Sequence, residues 1–254
     1  MALLEIINLS VHFGGLRALS DFNFALDERQ LHGLIGPNGA GKTTAFNVVT
    51  GVYTPSTGDV RLAGESTVGA RPFEINRLGI ARTFQNIRLF RGLTVLENVL
   101  VGFNQSVTHG FWGTIVRSPH HQREDSLHEH EAMKLLATFG LAERHGELAQ
   151  NLPYGDQRRL EIARALATRP RILLLDEPAA GMTPQEKLEL MKLIRFIRGE
   201  FNVGIWLIEH DMKLVMAICE RITVLDHGET IAVGTPGEVQ ADPKVIEAYL
   251  GEPV

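Results

Sequence analysis

The chain has 254 residues, of which 25 are basic and 30 are acidic, so its formal net charge is −5. This length allows one large domain or a core with a subdomain, and the mild acidity without a block of Lys or Arg argues against a nucleic-acid-binding surface. The sequence has no run of about 18 apolar residues, so we expect no transmembrane helix. The start MALLEIINLS lacks the basic region of a signal peptide, so we expect no signal peptide either.

Strands alternate with helices along the chain, which is typical of an α/β protein with a largely parallel sheet. Strands are expected over residues 4 to 9, 22 to 26, 31 to 35, 60 to 62, 80 to 83, 171 to 178, 203 to 208, 221 to 226 and 229 to 233. Helices are expected after Thr94 and over residues 127 to 139, 157 to 167, 184 to 198 and 243 to 250. Thr94 and Glu97 have the spacing of a capping box, which predicts where the first of these helices begins.

The segment GPNGAGKT, residues 36 to 43, fits the pattern G-x-x-x-x-G-K-[ST] of a phosphate-binding loop between a strand and a helix. Glycines there let successive backbone N–H groups approach phosphate oxygens closely. Lys42 would reach the terminal phosphates of a nucleotide, and the Thr43 hydroxyl would ligate Mg²⁺. A chance glycine-rich turn is the alternative, and the flanking strand and helix argue against it.

Two acidic residues, Asp176 and Glu177, follow an apolar strand at its carboxyl end, the edge at which open α/β sheets bind ligands. Asp176 would hold Mg²⁺, and Glu177 would polarise the attacking water as a general base. His210 ends another apolar strand and could hydrogen-bond a γ-phosphate, while Gln85 could reach metal and water. Each of these side chains could instead be an ordinary surface or packed residue, and the phosphate-binding loop favours the catalytic interpretation.

The domain organisation follows from where the strand pattern is interrupted. We interpret residues 1 to 254 as one domain, with a nucleotide-binding core formed by residues 1 to 84 and 156 to 254. Residues 85 to 155 would form an inserted helical subdomain with an irregular insertion over residues 103 to 130, since helical periodicity fails from Gly102 to about Arg123. The predicted fold class is α/β, a P-loop nucleotide-binding core of mostly parallel strands with an antiparallel β segment.

The order of these motifs resembles the ATP-binding subunits of ABC transporters over almost the whole chain. GPNGAGKTT is similar to the Walker A loop, ARTFQN to the Q-loop, LPYGDQRRLEIARAL to the signature segment, ILLLDEP to the Walker B strand and IEH to the switch histidine. The forms YGDQRR, EPAAGM and IEHDMKLVM resemble one subgroup in particular, the LivG-type ATPases of branched-chain amino-acid importers.

The resemblance implies a set of site residues. ATP would be bound by Phe13, stacking on adenine, and by Gly36, Asn38, Gly39, Ala40, Gly41, Lys42, Thr43 and Thr44. The catalytic residues would be Gln85, Glu177 and His210, and the metal ligands would be Thr43, Gln85 and Asp176. Gly155 and Asp156 would contact the nucleotide of a partner ATPase. Phe13 could equally be a core residue, because it ends an apolar-flanked strand.

Two positions depart from the family pattern. Pro153 stands where a serine hydroxyl usually contacts the partner's γ-phosphate, so its side chain cannot make that contact and we leave it out of the catalytic set. Thr183 stands where the loop after the Walker B strand usually has an aspartate. If the chain pairs with an ATPase that keeps the serine, the two composite ATP sites of the dimer should differ in turnover.

The resemblance further implies an ATPase that uses ATP and Mg²⁺ and pairs with a second ABC ATPase subunit, as a homodimer or a heterodimer. Such a pair would drive two membrane permease subunits, and indirectly a solute-binding protein, from a peripheral position on the cytoplasmic face of the inner membrane. The expected function is to power import of branched-chain or other hydrophobic amino acids, with no nucleic-acid partner.

Other functions stay open from the sequence. The ATPase of a lipopolysaccharide-export system shares a YGxQRR signature, and the ATPase of a urea importer or a soluble ABC-type ATPase would also fit. A P-loop kinase or GTPase is disfavoured, because the chain has a signature helix and lacks the guanine-reading Asn-Lys-x-Asp pattern. ABC-like DNA-repair proteins usually carry a coiled-coil insertion or tandem cassettes, and this chain has no heptads.

Five histidines fall in the expected insertion, namely His109, His120, His121, His128 and His130. Metal binding is conceivable, but their spacing matches no zinc pattern and no cysteine accompanies them. We interpret the segment as a solvated, irregular loop. The only cysteine of the chain, Cys219, lies in the apolar segment VMAICERI and is expected to be a buried thiol.

Overall fold

The structure, a computed structural model, describes residues 2–103 and 119–250. These residues form two compact units. The first contains the described residues up to Gln85 and from Arg171 onwards, and the second spans Asn86–Pro170. Within the described part of the chain, no helix is both long enough and apolar enough to cross a membrane.

The strands and helices follow one another in the alternating order expected of an α/β protein. In chain order they are β1 (Leu4–Phe13), β2 (Leu16–Leu26), β3 (Leu31–Ile35), α1 (Lys42–Val49), β4 (Thr57–Leu62), β5 (Glu65–Ser66), α2 (Pro72–Leu78), β6 (Ile80–Arg82), α3 (Val95–Phe103), α4 (Pro119–Thr138), α5 (Tyr154–Ala167), β7 (Ile172–Asp176), α6 (Pro184–Glu200), β8 (Gly204–Ile208), α7 (Met212–Ile218), β9 (Arg221–Asp226), β10 (Glu229–Gly234), α8 (Pro236–Ala241) and α9 (Pro243–Leu250). Two short 3-10 helices, Ala142–Arg144 and Ala149–Asn151, precede α5.

The first unit contains two sheets. One has four strands in the antiparallel order β2-β1-β4-β5, and the other has six strands in the order β10-β9-β3-β8-β7-β6. In the larger sheet every pair is parallel except β9 with β10. Every residue of β3, β7 and β8 is buried, as expected for parallel strands covered on both faces. The predicted fold class is therefore confirmed.

An aromatic cluster around Trp206 forms the centre of this unit. Trp206 on β8 is fully buried, and its ring centroid lies 4.1 Å from that of Phe24 on β2 and 4.8 Å from that of Phe46 on α1. Burial of such large rings is a major source of stability in a core. The cluster therefore ties the larger sheet to β2 and to the helix that follows the phosphate-binding loop.

The second unit is helical, with α5 packed against both α3 and α4. At the start of α3 the N–H of Thr94 donates to Glu97 Oε2 at 2.7 Å, and the N–H of Glu97 donates to Thr94 Oγ1 at 3.2 Å. The predicted capping box is thus confirmed. Inside α5, Arg158 and Glu161 form an ion pair at 2.7 Å that is almost completely buried.

The structure differs from the sequence prediction at the edges of this unit. The boundary predicted before residue 156 is wrong, because α5 packs on α3 and α4 and so belongs to the helical unit rather than to the core. The prediction of an irregular insertion over residues 103 to 130 is wrong for Phe103, the last residue of α3, and for residues 119 to 130, which belong to α4. Its remaining part, from residue 104 to 118, lies outside the described residues.

Two buried titratable side chains lie on the elements around β3. Cys219 is buried, as predicted, and its burial raises the pKa of the thiol to about 12. His32 at the start of β3 is 2% exposed, with Nε2 2.9 Å from Thr223 Oγ1 and the ring against Phe24. Burial, together with the charge of Arg221, lowers the pKa of His32 to about 4.

This pKa predicts an acid sensitivity of the fold. Because the pKa of His32 is lower in the folded chain than the usual 6.5, its stabilising contribution is complete above about pH 6.5 and is lost as the pH falls towards 4, by about 1.4 kcal/mol per pH unit. His32→Gln should therefore flatten the decline of the unfolding free energy between pH 6.5 and pH 4.5, measured by urea titration. His12→Gln, which changes an exposed histidine, should leave the decline unchanged. Equal slopes for His32→Gln and the wild type would contradict the prediction.

Candidate active site

The phosphate-binding loop connects β3 to α1 and is shaped by two close backbone approaches. Gly36 has φ +149° and Gly41 has φ +102°. A Cβ atom on Gly36 would lie 2.0 Å from the carbonyl oxygen of Leu225, and one on Gly41 would lie 2.6 Å from that of Ala18. Only glycine fits at either position, so the loop is held between β2 and β9.

Lys42, the first residue of α1, is buried beneath this loop. Its Nζ atom donates to the carbonyl oxygens of Gly36 at 2.7 Å and Pro37 at 2.8 Å. Burial lowers the pKa of Lys42, and the negative charges of Glu177 and Asp176 oppose that shift. The loop therefore carries an ammonium group held at a fixed position, close to two carboxylates.

Glu177 lies at the centre of the three residues predicted to be catalytic. It directly follows β7 with φ +47°, and its N–H donates to the carbonyl oxygen of Ile208 at 2.9 Å. Gln85 Nε2 donates to Glu177 Oε2 at 2.7 Å, and His210 Nε2 lies 2.6 Å from Glu177 Oε1. Both oxygens of this carboxylate are thus oriented by groups from the ends of neighbouring strands.

Glu209 fixes the segments on either side of this cluster, a role that sequence reasoning missed. Its side chain is buried and accepts hydrogen bonds from the backbone N–H groups of Ala179 at 2.7 Å and His210 at 3.0 Å. Burial raises the pKa of Glu209, and these hydrogen bonds oppose the rise. A carboxyl group between two loops is therefore what holds His210 and the segment after Glu177 together.

A cavity of about 730 Å³ lies over the loop, a volume suited to a ligand of nucleotide size. The predicted site residues that line it are Phe13, residues 38 to 44, Gln85, Glu177 and His210. Arg17 and His227 also line it, although sequence reasoning did not single them out. Their basic character was the available signal, but only the fold places them beside the loop.

Phe13 is 46% exposed at this cavity, which excludes the core interpretation. Its ring packs edge-on against Tyr53, with the centroids 5.2 Å apart and an interplanar angle of 74°. An aromatic face at the cavity wall suits the stacking of a planar base.

The three predicted metal ligands offer a hydroxyl, an amide oxygen and a carboxylate, from Thr43, Gln85 and Asp176. These are the hard oxygen donors that Mg²⁺ prefers, usually as one or two protein ligands together with substrate phosphates. Thr43 and Gln85 line the cavity. Asp176 is 5% exposed and forms an ion pair with Arg82 at 2.7 Å, a partner that the sequence prediction did not include.

The structure describes only part of the histidine-rich segment of the expected insertion. His109 lies outside the described residues, as do the side chains of His120 and His121. His128 stacks on Phe103 with the ring centroids 5.4 Å apart. Among the described residues, no group of three or more His, Cys, Asp or Glu side chains could hold a metal ion.

The signature residues lie at the start of α5, in the helical unit. Pro153 occupies the N-cap position, and Gly155 is buried in the first turn. The Asp156 carboxylate accepts from Arg144 at 2.7 Å and lies 3.7 Å from Arg159. The side chain of Asp156 is therefore engaged within its own unit.

Thr183 has a structural role at the start of α6. Its hydroxyl accepts from the N–H of Glu186 at 3.3 Å, and its own N–H donates to Glu186 Oε2 at 2.8 Å. This reciprocal capping box satisfies two backbone donors of the helix start. The residue that replaces the family's usual aspartate therefore stabilises a helix end.

Two family models and several known proteins are similar to this chain. A family model described as ABC transporter matches residues 19–180, and one described as branched-chain amino acid ATP-binding cassette transporter matches residues 229–254. The high-affinity branched-chain amino acid transport ATP-binding protein LivG of Salmonella typhimurium is 48% identical over 98% of each chain. The lipopolysaccharide export system ATP-binding protein LptB of Escherichia coli strain K12 is 32% identical over 99% of this chain and 98% of its own. The crystal structure of a nucleotide-free ATP-binding cassette from an ABC transporter is similar with a TM-score of 0.85 and 29% identity, over 99% of this chain and 100% of its own.

The capping role of Thr183 can be measured. Thr183→Ala should lower the free energy of unfolding by about 1 kcal/mol, because the N-cap side chain of α6 is lost. Thr235→Ala is the matched control, since Thr235 and Glu238 form the same capping box at the start of α8. Urea unfolding of both variants should give similar losses. A stable Thr183→Ala variant beside a destabilised Thr235→Ala variant would contradict the role.

Proposed function

Because this chain belongs to the family of ABC transporter ATP-binding proteins, we propose that it hydrolyses ATP to power the import of branched-chain or related hydrophobic amino acids. One observation carries the catalytic part of this proposal. The Glu177 carboxylate is held by Gln85 and His210 at a cavity that the phosphate-binding loop also lines. The 48% identity to LivG over nearly the whole chain supports the transported class.

ATP binding would use the loop, Lys42 and Phe13. Backbone N–H groups of the loop and the start of α1 would meet the phosphates with their positive ends. Lys42 would exchange its two carbonyl partners for phosphate oxygens, which suits a group already held under the loop. The exposed Phe13 ring would stack on adenine, and Arg17 adds positive charge to the cavity wall.

Hydrolysis would proceed by in-line attack of water on the γ-phosphorus. Glu177 accepts a proton from the water as its oxygen bonds to phosphorus, and the bond from phosphorus to the β,γ-bridging oxygen breaks to release ADP. Gln85 and His210 keep the carboxylate pointed at that water. Mg²⁺ would supply charge neutralisation of the phosphate oxygens, and Thr43, Gln85 and Asp176 are the residues to hold it.

A second ABC ATPase would complete each ATP site by offering its signature segment to the γ-phosphate. In this chain that segment would act through Gly155 and the backbone N–H groups at the start of α5, because Pro153 has no hydroxyl. Pairing with an ATPase that keeps the serine would give two composite sites with unequal turnover. Homodimers would instead carry proline at both sites.

The ATPase pair would act on two permease subunits and, through them, on a solute-binding protein. In this role the chain would act at the cytoplasmic face of the inner membrane as a peripheral subunit. Export of lipopolysaccharide is the nearest competing role, and the lower identity to LptB, together with the match of residues 229–254 to the branched-chain family model, favours amino-acid import.

The role of Glu177 gives a direct prediction. Glu177→Gln should lower the kcat of ATP hydrolysis at least about 100-fold, because the general base is lost, while the Kd for ATP stays within about threefold. Glu189→Gln is the matched control, since Glu189 is an exposed carboxylate on α6 that pairs with Lys192. Steady-state phosphate release and equilibrium binding of ATP measure the two quantities. A Glu177→Gln enzyme that keeps a tenth or more of the wild-type rate would rule out this assignment.

The transported class is tested in proteoliposomes. The chain is purified from its host membranes with the permease subunits that accompany it, and reconstituted with the matching solute-binding protein. Leucine, isoleucine or valine should stimulate ATP hydrolysis and accumulate inside the vesicles, whereas urea should not. Stimulation by lipopolysaccharide without any response to amino acids would replace the import role by the export role.

A further inference from the structure

Arg82 forms a buried ion pair with Asp176 that the proposed mechanism does not use. Its Nη2 atom lies 2.7 Å from Asp176 Oδ2, and the two side chains are 6% and 7% exposed. Arg82 ends β6 and lies in register with Leu174 of the parallel strand β7. Residues two apart on a strand point to the same face, so Asp176 emerges beside Arg82 on one face of the sheet.

The rest of the guanidinium is held by α1 and by two aromatic rings. Its Nη1 atom donates to Asn47 Oδ1 at 2.7 Å and to Thr50 Oγ1 at 3.3 Å. The guanidinium carbon lies 5.5 Å from the ring centroid of Phe46 and 4.9 Å from that of Phe84. Because the guanidinium group of Arg82 is planar, these contacts fix its orientation. Arg82 therefore joins the helix after the phosphate-binding loop, the strand that ends at Asp176 and the segment that leads to the Q-loop.

This arrangement engages one oxygen of the Asp176 carboxylate. Thr43, Gln85 and Glu177 line the cavity over the loop, whereas Asp176 is not among the described residues that line it. A carboxylate that shares its charge with an adjacent cation attracts a second cation less strongly than a free carboxylate does. Burial strengthens the effect, because little water screens the pair.

From this geometry we propose that Arg82 is a positioning residue that weakens the affinity of Asp176 for the divalent ion that accompanies ATP. It fixes the carboxylate against α1 and occupies one of its oxygens. The ion would then bind together with the nucleotide phosphates rather than to Asp176 beforehand. This inference rests on the proposed function, since it presupposes that the chain binds ATP with a divalent ion.

The experiment uses the full chain and Mn²⁺ as the probe ion. Wild type, Arg82→Met and Arg82→Lys are compared with Arg61→Met as the matched control. Arg61 also forms a 2.7 Å ion pair, with Asp59, but its side chain is 46% exposed. Electron paramagnetic resonance measures the free Mn²⁺ concentration that half-saturates each protein, with and without a non-hydrolysable ATP analogue. Thermal unfolding of each variant is recorded alongside.

Arg82→Met should lower the half-saturating Mn²⁺ concentration at least about fivefold without nucleotide, because an unshared carboxylate attracts the ion more strongly. The change should be smaller with the analogue, whose phosphates supply most of the ligands. Arg82→Lys keeps the charge but not the fork, so its value should fall between wild type and Arg82→Met. Arg61→Met should bind Mn²⁺ as the wild type does.

A merely structural role would lower the unfolding temperature of Arg82→Met without changing Mn²⁺ binding, and that result overturns the proposal. A weaker affinity for Mn²⁺ also overturns it. If Arg82→Met does not fold, the test rests on Arg82→Lys. A half-saturating Mn²⁺ concentration of Arg82→Lys equal to that of the wild type then contradicts the proposal. If the wild type binds neither Mn²⁺ nor the ATP analogue, the proposed function is contradicted as well. If the wild type binds both and the Arg82 variants bind Mn²⁺ with the wild-type affinity, only this inference is contradicted.

Discussion

The close approach of the phosphate-binding loop to its neighbours is the constraint on which the site depends. Gly36 lies against the carbonyl of Leu225 and Gly41 against that of Ala18, so the loop cannot shift without displacing β9 or β2. The Trp206 cluster fixes the other side by packing on Phe46 of α1. These contacts on both sides fix the position of the loop beneath the cavity.

The parallel sheet brings the remaining groups to the same edge. Gln85, Glu177 and His210 follow β6, β7 and β8, and neighbouring parallel strands end side by side. The N–H of Glu177 donates to the carbonyl oxygen of Ile208, which holds the residue after β7 against the end of β8. Glu209 then joins two of these segments by accepting their N–H groups. The geometry around Glu177 is thus a consequence of strand order and of one buried carboxyl group.

Buried charges at this edge are each matched by a defined partner. Lys42 is held by two carbonyl oxygens, Asp176 by Arg82, and Glu209 by backbone N–H groups. An unmatched charge at these depths would cost several kcal/mol. The partners also set the direction of each group, which matters for a reaction governed by positioning and electrostatics. The contacts that stabilise these buried charges therefore also orient the groups of the proposed site.

The sequence by itself determined what depends on neighbours along the chain: the strand, loop and helix of the P-loop, the Thr94 capping box and the acidic end of β7. The fold class followed from the alternation of such segments. Only the tertiary structure decided which distant residues meet, because strand register and helix packing are not local properties. Arg82 reaches Asp176 through the pairing of β6 with β7, and α5 joins the helical unit through its packing on α3. Arg17 and His227 likewise border the cavity only because β2 and the turn after β9 lie beside the loop.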